Sequence, residues 1–553
     1  MNKASPELGA VREVDGRRVM VDVGDRFEAT LSIPVGEGRD YVVGQPGSLV
    51  TINVGPRTRV IGLVTAMRMA ETVGTGEDGR PAAVERKRFE AQLIGELSGG
   101  RFRRGVGSYP VVGSKVFAPD DADIAALFGD PDGNGLSVGR LTQPEGSRCF
   151  IRVDRFFGRH AAVVGMTGTG KSSAVAGLLQ KASDPARCPH AHIVILDTHN
   201  EYRIAFPSAN YLSGDSLKLP YWLLNFAELR EVFADRTEHA ALNQIRFFRD
   251  AVLALKRENL EKQLRDIAGL IGETDARRLL RERLTVDTPV YFDLRELLAR
   301  AEREDAGRSR SSQYLQNFIL RLRSKLEDRR LGFLTDIRDC GHSAVLPAVI
   351  ENLLNAGGGV TIVDLSGVPS EARSVVVSVV ARTAFDFNLW NPWRRQYPIC
   401  LVCEEAHAYL AESRSGETGP AGEQIGRIAR EGRKYGVGLI VVSQRPTELP
   451  AAVLSQCGTF VAFRLTNEAD QGHVRRLTPD SAGGLLEALP NLQQGEALLI
   501  GEAAPMPCRV MLDGPDPAPS GDDVPFDRSW REGPSGFDMG AVVRKWWLQE
   551  KDG

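Results

Sequence analysis

No stretch of this 553-residue chain supplies the ~18 consecutive apolar residues of a membrane-spanning helix, and its first residues, Met1-Asn2-Lys3-Ala4-Ser5-Pro6, lack the apolar core of a secretion signal. A cytoplasmic protein with no membrane partner is expected. Cysteine is scarce: there are seven, an odd number and widely scattered, which argues against a disulfide framework and fits a reducing compartment. Cys400 and Cys403 have the spacing of a metal or redox pair, but they lie in an apolar run where residues three apart face opposite sides of a strand, so a core strand is the better reading. An excess of positive charge is missing too. A net charge of −3 excludes a globally basic nucleic-acid coat but permits a local basic lining, such as the inside of a ring. What is present, 42% hydrophobic and 25% charged residues, describes a soluble globular protein long enough for about three or four units.

Up to about residue 117 the sequence reads as short β segments separated by Gly, Pro and Asp, and 1–130 is expected to form a small N-terminal barrel. The stretch Thr72 to Ala83, rich in Gly and charge, reads as a hairpin loop. Beyond about 145 strand and helix patterns alternate, with apolar strands ending near Asp197, Leu365, Cys403 and Ser443, which predicts an α/β core around a parallel sheet in two parts, 145–230 and 346–512. Between them, 231–345 is rich in Glu, Arg and Leu with apolar residues three or four apart, the pattern of an inserted helical bundle. The tail 513–553 opens as a turn-rich linker and closes with Trp530, Phe537, Trp546 and Trp547 among polar residues; they would be covered by their own chain or by a partner surface.

The densest information lies at Gly165, Met166, Thr167, Gly168, Thr169, Gly170, Lys171 and Ser172, between the apolar run 161–164 and a helical pattern that starts at Ser173. In that context the eight residues form a phosphate-binding loop: backbone N–H groups curl around a triphosphate, Lys171 reaches its outer phosphates and Ser172 binds Mg²⁺. ATP or GTP is the expected ligand. Such a site needs an acid for the metal and a second group to orient water, and Glu404 and Glu405 follow an apolar strand as required. Gln444, at the end of the next strand, is placed to contact the terminal phosphate. Asp197, with Glu201, either approaches the metal or caps the turn that follows its strand. The segment 425–434 carries Arg427, Arg430, Arg433 and Lys434, which either face solvent or offer an arginine to a neighbour's triphosphate.

Taken together, Arg159-His160 before the loop, Asp197 to Tyr202, Leu219 to Trp222, Glu404-Glu405-Ala406-His407, Ala429 to Gly436, Ser443 to Pro446 and Leu454 to Phe460 resemble the HerA family of hexameric DNA-translocating ATPases, within the wider HerA and FtsK group. The resemblance implies an N-terminal HAS-barrel, a RecA-like core interrupted by helices, and a homohexamer with ATP and Mg²⁺ at its subunit interfaces. It places Lys171 and Ser172 in the nucleotide loop, Glu404 and Glu405 as the acidic pair and Gln444 as sensor. Arg159, Arg430 and Arg433 match positions expected to reach the γ-phosphate across or within an interface. Two departures are Asn200, where a glycine is common, and Glu404 in place of aspartate. Double-stranded DNA is the implied substrate, and the implied partner is a separate nuclease of the NurA kind or a sirtuin-like defence effector. The alternative is a nucleotide-switched scaffold that assembles such an effector without translocating, suggested by the acidic balance and the aromatic tail. Residues 411–416 are a candidate pore loop.

Overall fold

The computed structural model describes residues 5–548 except 25–31, 36–38, 43, 76–80, 131, 144–145, 235–240, 308–313, 337, 356, 412–417, 479–482 and 522–524. The candidate pore loop therefore lies outside the described residues, apart from Ala411.

The first sheet is built from β1 (Glu7–Val14), β2 (Arg18–Val23), β5 (Leu49–Asn53), β6 (Thr58–Thr75), β7 (Pro81–Ser98), β8 (Arg101–Arg104) and β9 (Lys115–Phe117), with β3 (Ser32–Val35) and β4 (Arg39–Val42) forming a separate hairpin. The order β2-β1-β9-β5-β6-β7 closes on itself because β2 also pairs with β7, and β8 hangs from β7 outside the ring. Alternating side chains fill the closed barrel: Val19 and Val21 from β2, Val50 and Ile52 from β5, and Phe89 from β7 are buried within it. The expected loop at Thr72 to Ala83 is mostly ladder instead, since β6 and β7 stay paired as far as Thr75 and Pro81.

The second sheet has eleven strands: β10 (Gly135–Leu141), β11 (Arg148–Arg152), β12 (Ala161–Val164), β13 (His192–Asp197), β14 (Asn210–Leu212), β15 (Gly359–Asp364), β16 (Ile399–Cys403), β17 (Val437–Ser443), β18 (Thr459–Ala462), β19 (Glu496–Gly501) and β20 (Cys508–Leu512). From β18 through β12, β17, β16, β13 and β15 to β14 it is parallel, and β19, β20, β10 and β11 extend it antiparallel. The central runs have no alternation because helices cover both faces, and every residue of β12, β13, β16 and β17 is buried. Cys400 and Cys403 are part of that core; burial pushes the Cys403 thiol up to about 12.

Between β14 and β15 the described residues are helical or irregular. The first long helix after β14 is tied to the helix that follows β15 by a buried ion pair. Glu228, on the helix Phe226–Phe233, is fully buried and accepts from Arg382 Nη2 at 2.8 Å and from Ser378 Oγ at 2.7 Å, both on the helix Ser370–Trp390. Removing one member of such a pair leaves the other charged and desolvated. Glu228→Ala should therefore destabilise the protein by about 3–5 kcal/mol, read from the denaturant midpoint.

A second buried charge makes stability depend on pH. Lys256 Nζ donates to Val286 O at 2.6 Å and to Thr288 O at 2.7 Å, and burial drops its pKa from 10.5 to about 7. Between those two values the unfolded chain binds a proton that the folded chain does not, so stability rises as pH increases through that window. Melting of the wild type should shift upward from pH 7 to 10, with a smaller slope in Lys256→Met.

Candidate nucleotide site

The phosphate loop leaves β12 at Val164 and enters the helix Lys171–Ala182, which follows directly on Gly170. Gly165 is required by close approach, since a Cβ there would stand 2.5 Å from Phe463 Cβ. Gly170, in the left-handed region at φ 96°, turns the chain so that the helix's first N–H groups face the loop. Met166, Thr167 and Gly168 are exposed, Thr169 is buried, and Ser173 is half-buried in the first helical turn. Lys171 Nζ donates to Met166 O at 2.9 Å, and Thr169 Oγ1 donates to the same carbonyl at 2.7 Å. Burial lowers the lysine's pKa, opposed by Glu405, Glu404 and Glu201. Thr167 hydrogen-bonds Gln444, so the end of β17 meets the loop directly.

The acidic pair closes the other side. Glu404 is buried; Ser172 Oγ lies 3.4 Å from its Oε1, and the Tyr202 hydroxyl donates to its Oε2 at 2.7 Å. Burial raises Glu404 to about 8, helped by Glu405, Glu201 and Asp197 and opposed by the Tyr202 hydrogen bond. Glu405 goes the other way: burial pushes it up, but His407 and Lys171 outweigh that and hold it below the usual carboxylate range. Its Oε2 stands 3.1 Å from His407 Nδ1. Glu405 also adopts φ 44°, a conformation costing a non-glycine residue roughly 1–2 kcal/mol. Strain at this position aims two neighbouring carboxylates differently.

Asp197 stands at the turn that follows β13. Its Oδ1 accepts from the N–H groups of His199 and Glu201 at 3.2 Å, and its Oδ2 accepts from Tyr202 N–H at 3.0 Å. With both oxygens facing backbone N–H groups, Asp197 organises the turn, the capping arrangement of the two read from sequence. The turn explains Asn200 as well, which takes the left-handed φ of 59° that glycine or asparagine tolerates. Tyr202 and His407 are the site residues that chemical-type reasoning passed over, although both lie inside the motifs quoted above. Ser172 and Glu404 are hard oxygen donors that fit Mg²⁺. No group of three or more His, Cys, Asp or Glu among the described residues could cage a metal alone, so phosphate and water oxygens would complete the shell.

The arginines stand apart. Arg159 precedes β12 and Arg433 lies near the end of the helix Pro420–Tyr435 that leads into β17, so both occupy the amino edge of the sheet, where they line a cavity of about 870 Å³. Arg159 and Gly165 lie at opposite ends of β12, whose four extended residues span roughly 13 Å. Arg430 and Arg433 are exposed, whereas Arg427 pairs with Asp386 at 3.2 Å and covers the Phe385 ring at 4.1 Å.

The family model for the helicase HerA central domain matches residues 136–384. A probable helicase of Methanocaldococcus jannaschii is 27% identical over 430 residues, covering 76% of this chain and 75% of that protein. The DNA double-strand break repair helicase HerA of Sulfolobus acidocaldarius is 27% identical over 428 residues, covering 76% and 77%. Among solved structures, VirB4 of Thermoanaerobacter pseudethanolicus aligns over 72% of this chain and 99% of its own, at a TM-score of 0.47 and 16% identity. With the phosphate loop, the acidic pair and the interrupted parallel sheet in one core, residues 136–384 match the helicase HerA central domain, and the chain is similar to HerA helicases over about three quarters of its length.

Proposed function

We propose that this protein is an ATP-driven, ring-forming translocase of double-stranded DNA. The observation that carries this reading is the separation of two half-sites. Lys171, Ser172, Glu404, Glu405 and Gln444 gather at the carboxyl ends of the strands, while Arg159 and Arg433 lie at the opposite edge. A surface that donates at one end and receives at the other pairs head to tail, and such pairing forms a ring when the rotation between copies closes. Six copies is the number the family resemblance suggests.

In this reading Lys171 leaves Met166 O for the β- and γ-phosphates, and the first-turn N–H groups of the helix Lys171–Ala182 hold the phosphate oxygens. Ser172 and Glu404 would hold Mg²⁺, which supplies charge neutralisation between the phosphates. Glu405, ionised at neutral pH, orients and deprotonates the attacking water. Gln444 exchanges Thr167 for the γ-phosphate and so reports its presence along β17. Arg159 or Arg433 of the adjacent copy, with Arg430 beside them, neutralises the charge that develops on the transferred group.

The relatives named as DNA double-strand break repair helicases support duplex DNA as the substrate. A nuclease or sirtuin-like effector on a separate chain would use the movement. Among the described residues no helix is long and apolar enough to cross a membrane, which supports work in the cytoplasm. ATP turnover should rise several-fold on adding linear duplex DNA, and DNA affinity should fall steeply between 50 and 200 mM salt. Turnover indifferent to DNA, with no DNA binding at low salt, would remove this reading.

A scaffold that only switches an effector is favoured by one observation. Trp530, Trp546 and Trp547 are 80%, 77% and 81% exposed on the helices Phe526–Glu532 and Met539–Leu548, as a partner-binding tail would be. Full activation of that effector by a hydrolysis-dead Glu405→Gln protein would select the scaffold over the motor.

A further inference from the structure

Glu502 follows β19 directly, and its carboxylate joins two arginines of the amino edge: Arg159 Nη1 donates to Oε1 at 3.1 Å and Arg155 Nη1 to Oε2 at 3.2 Å. The backbone beneath is stitched tightly. Glu502 N–H donates to Gly458 O at 2.8 Å, and Gly458 N–H donates to Arg159 O at 2.8 Å. Both glycines are forced, since a Cβ at Gly501 would meet Gly458 O at 2.2 Å and one at Gly458 would meet Arg159 O at 3.0 Å. The main chains of Glu502 and Arg159 are thus fixed to each other, and only the side chains have freedom to part.

The same loop carries the junction with the barrel. Arg104, on β8, donates through Nε to Pro505 O and through Nη2 to Ala504 O, both at 2.6 Å, and it also hydrogen-bonds Gly501 O. One guanidinium from the first sheet therefore grips three carbonyls on either side of Glu502. Nothing in the hydrolytic chemistry uses these contacts.

We propose that Glu502 is a positioning residue: it holds the Arg159 guanidinium at the amino edge until a neighbouring copy's triphosphate displaces it, and the barrel, through Arg104, fixes the loop on which Glu502 stands. This rests on the reading of Arg159 as an interfacial arginine. A triphosphate offers more negative charge and bidentate geometry than one carboxylate, so it wins the exchange. The held state is weak by design. Glu502 and Arg159 side chains are 43% and 33% exposed, and pairs of that kind shift an equilibrium by up to about five-fold.

The test is DNA-free ATP turnover of the full-length protein. Glu502→Gln should raise kcat about two- to five-fold, because Arg159 is released. Arg155→Gln should lower it by a similar factor, because the carboxylate then serves Arg159 alone. Arg104→Gln should move it in the same direction as Glu502→Gln. Opposite signs from two exposed substitutions on one carboxylate are not what a structural ion pair produces. The double variant Glu502→Gln, Arg159→Ala should match Arg159→Ala. If Arg159→Ala abolishes turnover but Glu502→Gln leaves it unchanged or lower, or if Arg155→Gln and Glu502→Gln shift it the same way, the holding role is overturned and the interfacial arginine stands. Wild-type turnover by Arg159→Ala overturns both.

Discussion

Glu405→Gln is expected to cut ATP hydrolysis by about 10²- to 10⁴-fold while nucleotide binding persists, the loss that follows removal of a positioned base or water-orienting group. Glutamine keeps the length and the hydrogen-bonding outline of glutamate, so the turn at φ 44° and the approach to His407 survive. What disappears is the negative charge that attracts a proton from water. The two neighbouring carboxylates are unequal for this purpose: burial pushes Glu404 up to about 8, whereas His407 and Lys171 keep Glu405 below the ordinary range and anionic at neutral pH. Single-turnover hydrolysis beside equilibrium binding of a fluorescent ATP analogue separates the two effects. A loss of less than about ten-fold would reassign Glu405 away from the water.

The second large effect belongs to residues remote from their own phosphate loop. Arg159→Ala or Arg433→Ala should reduce turnover by about 10³- to 10⁵-fold if it is the residue that neutralises the transferred phosphoryl group, although neither lies near Lys171 of the same copy. Mixing is the decisive measurement. Lys171→Ala subunits keep their arginines and arginine-deficient subunits keep their lysine, so in a randomly mixed ring about one quarter of interfaces combine both intact halves. Activity should reappear in the mixture of two inactive proteins. No recovery after verified subunit exchange would place the arginines outside the catalytic step.

Which parts of this could be read before the fold was known follows from distance along the chain. The phosphate loop was legible because its glycines, lysine and serine act within eight contiguous residues, and their flanks announce strand and helix. The acidic pair was legible for the same reason. Asp197 stays open between two roles in the sequence because a carboxylate at a strand end looks the same whether it ligates a metal or caps a turn, and the three N–H groups aimed at it are visible only in the fold. Tyr202 was passed over because its use depends on reaching Glu404 from a different strand. Barrel closure through β2 and β7, and the buried Glu228–Arg382 pair, join segments far apart in sequence, and no local pattern encodes them. Arg159 sits beside the phosphate loop in the sequence and a strand's length away in space.

The tail opens as a turn-rich linker, and its first residues are fastened to the helix that follows the phosphate loop. Asp513 pairs with Lys181 at 2.6 Å and Arg148 at 2.8 Å, Gln180 bridges Asp516 N–H and Pro517 O, and Ser520 N–H reaches Glu201 O at 2.9 Å. Gly177 leaves the room this crossing needs, since a Cβ there would stand 3.1 Å from Asp513 O. The start of the tail is thereby clamped, through a few ion pairs and one amide, to the last turn of the helix whose first turn faces the phosphates, so a variant that loosens Asp513 would free the far end of the nucleotide helix.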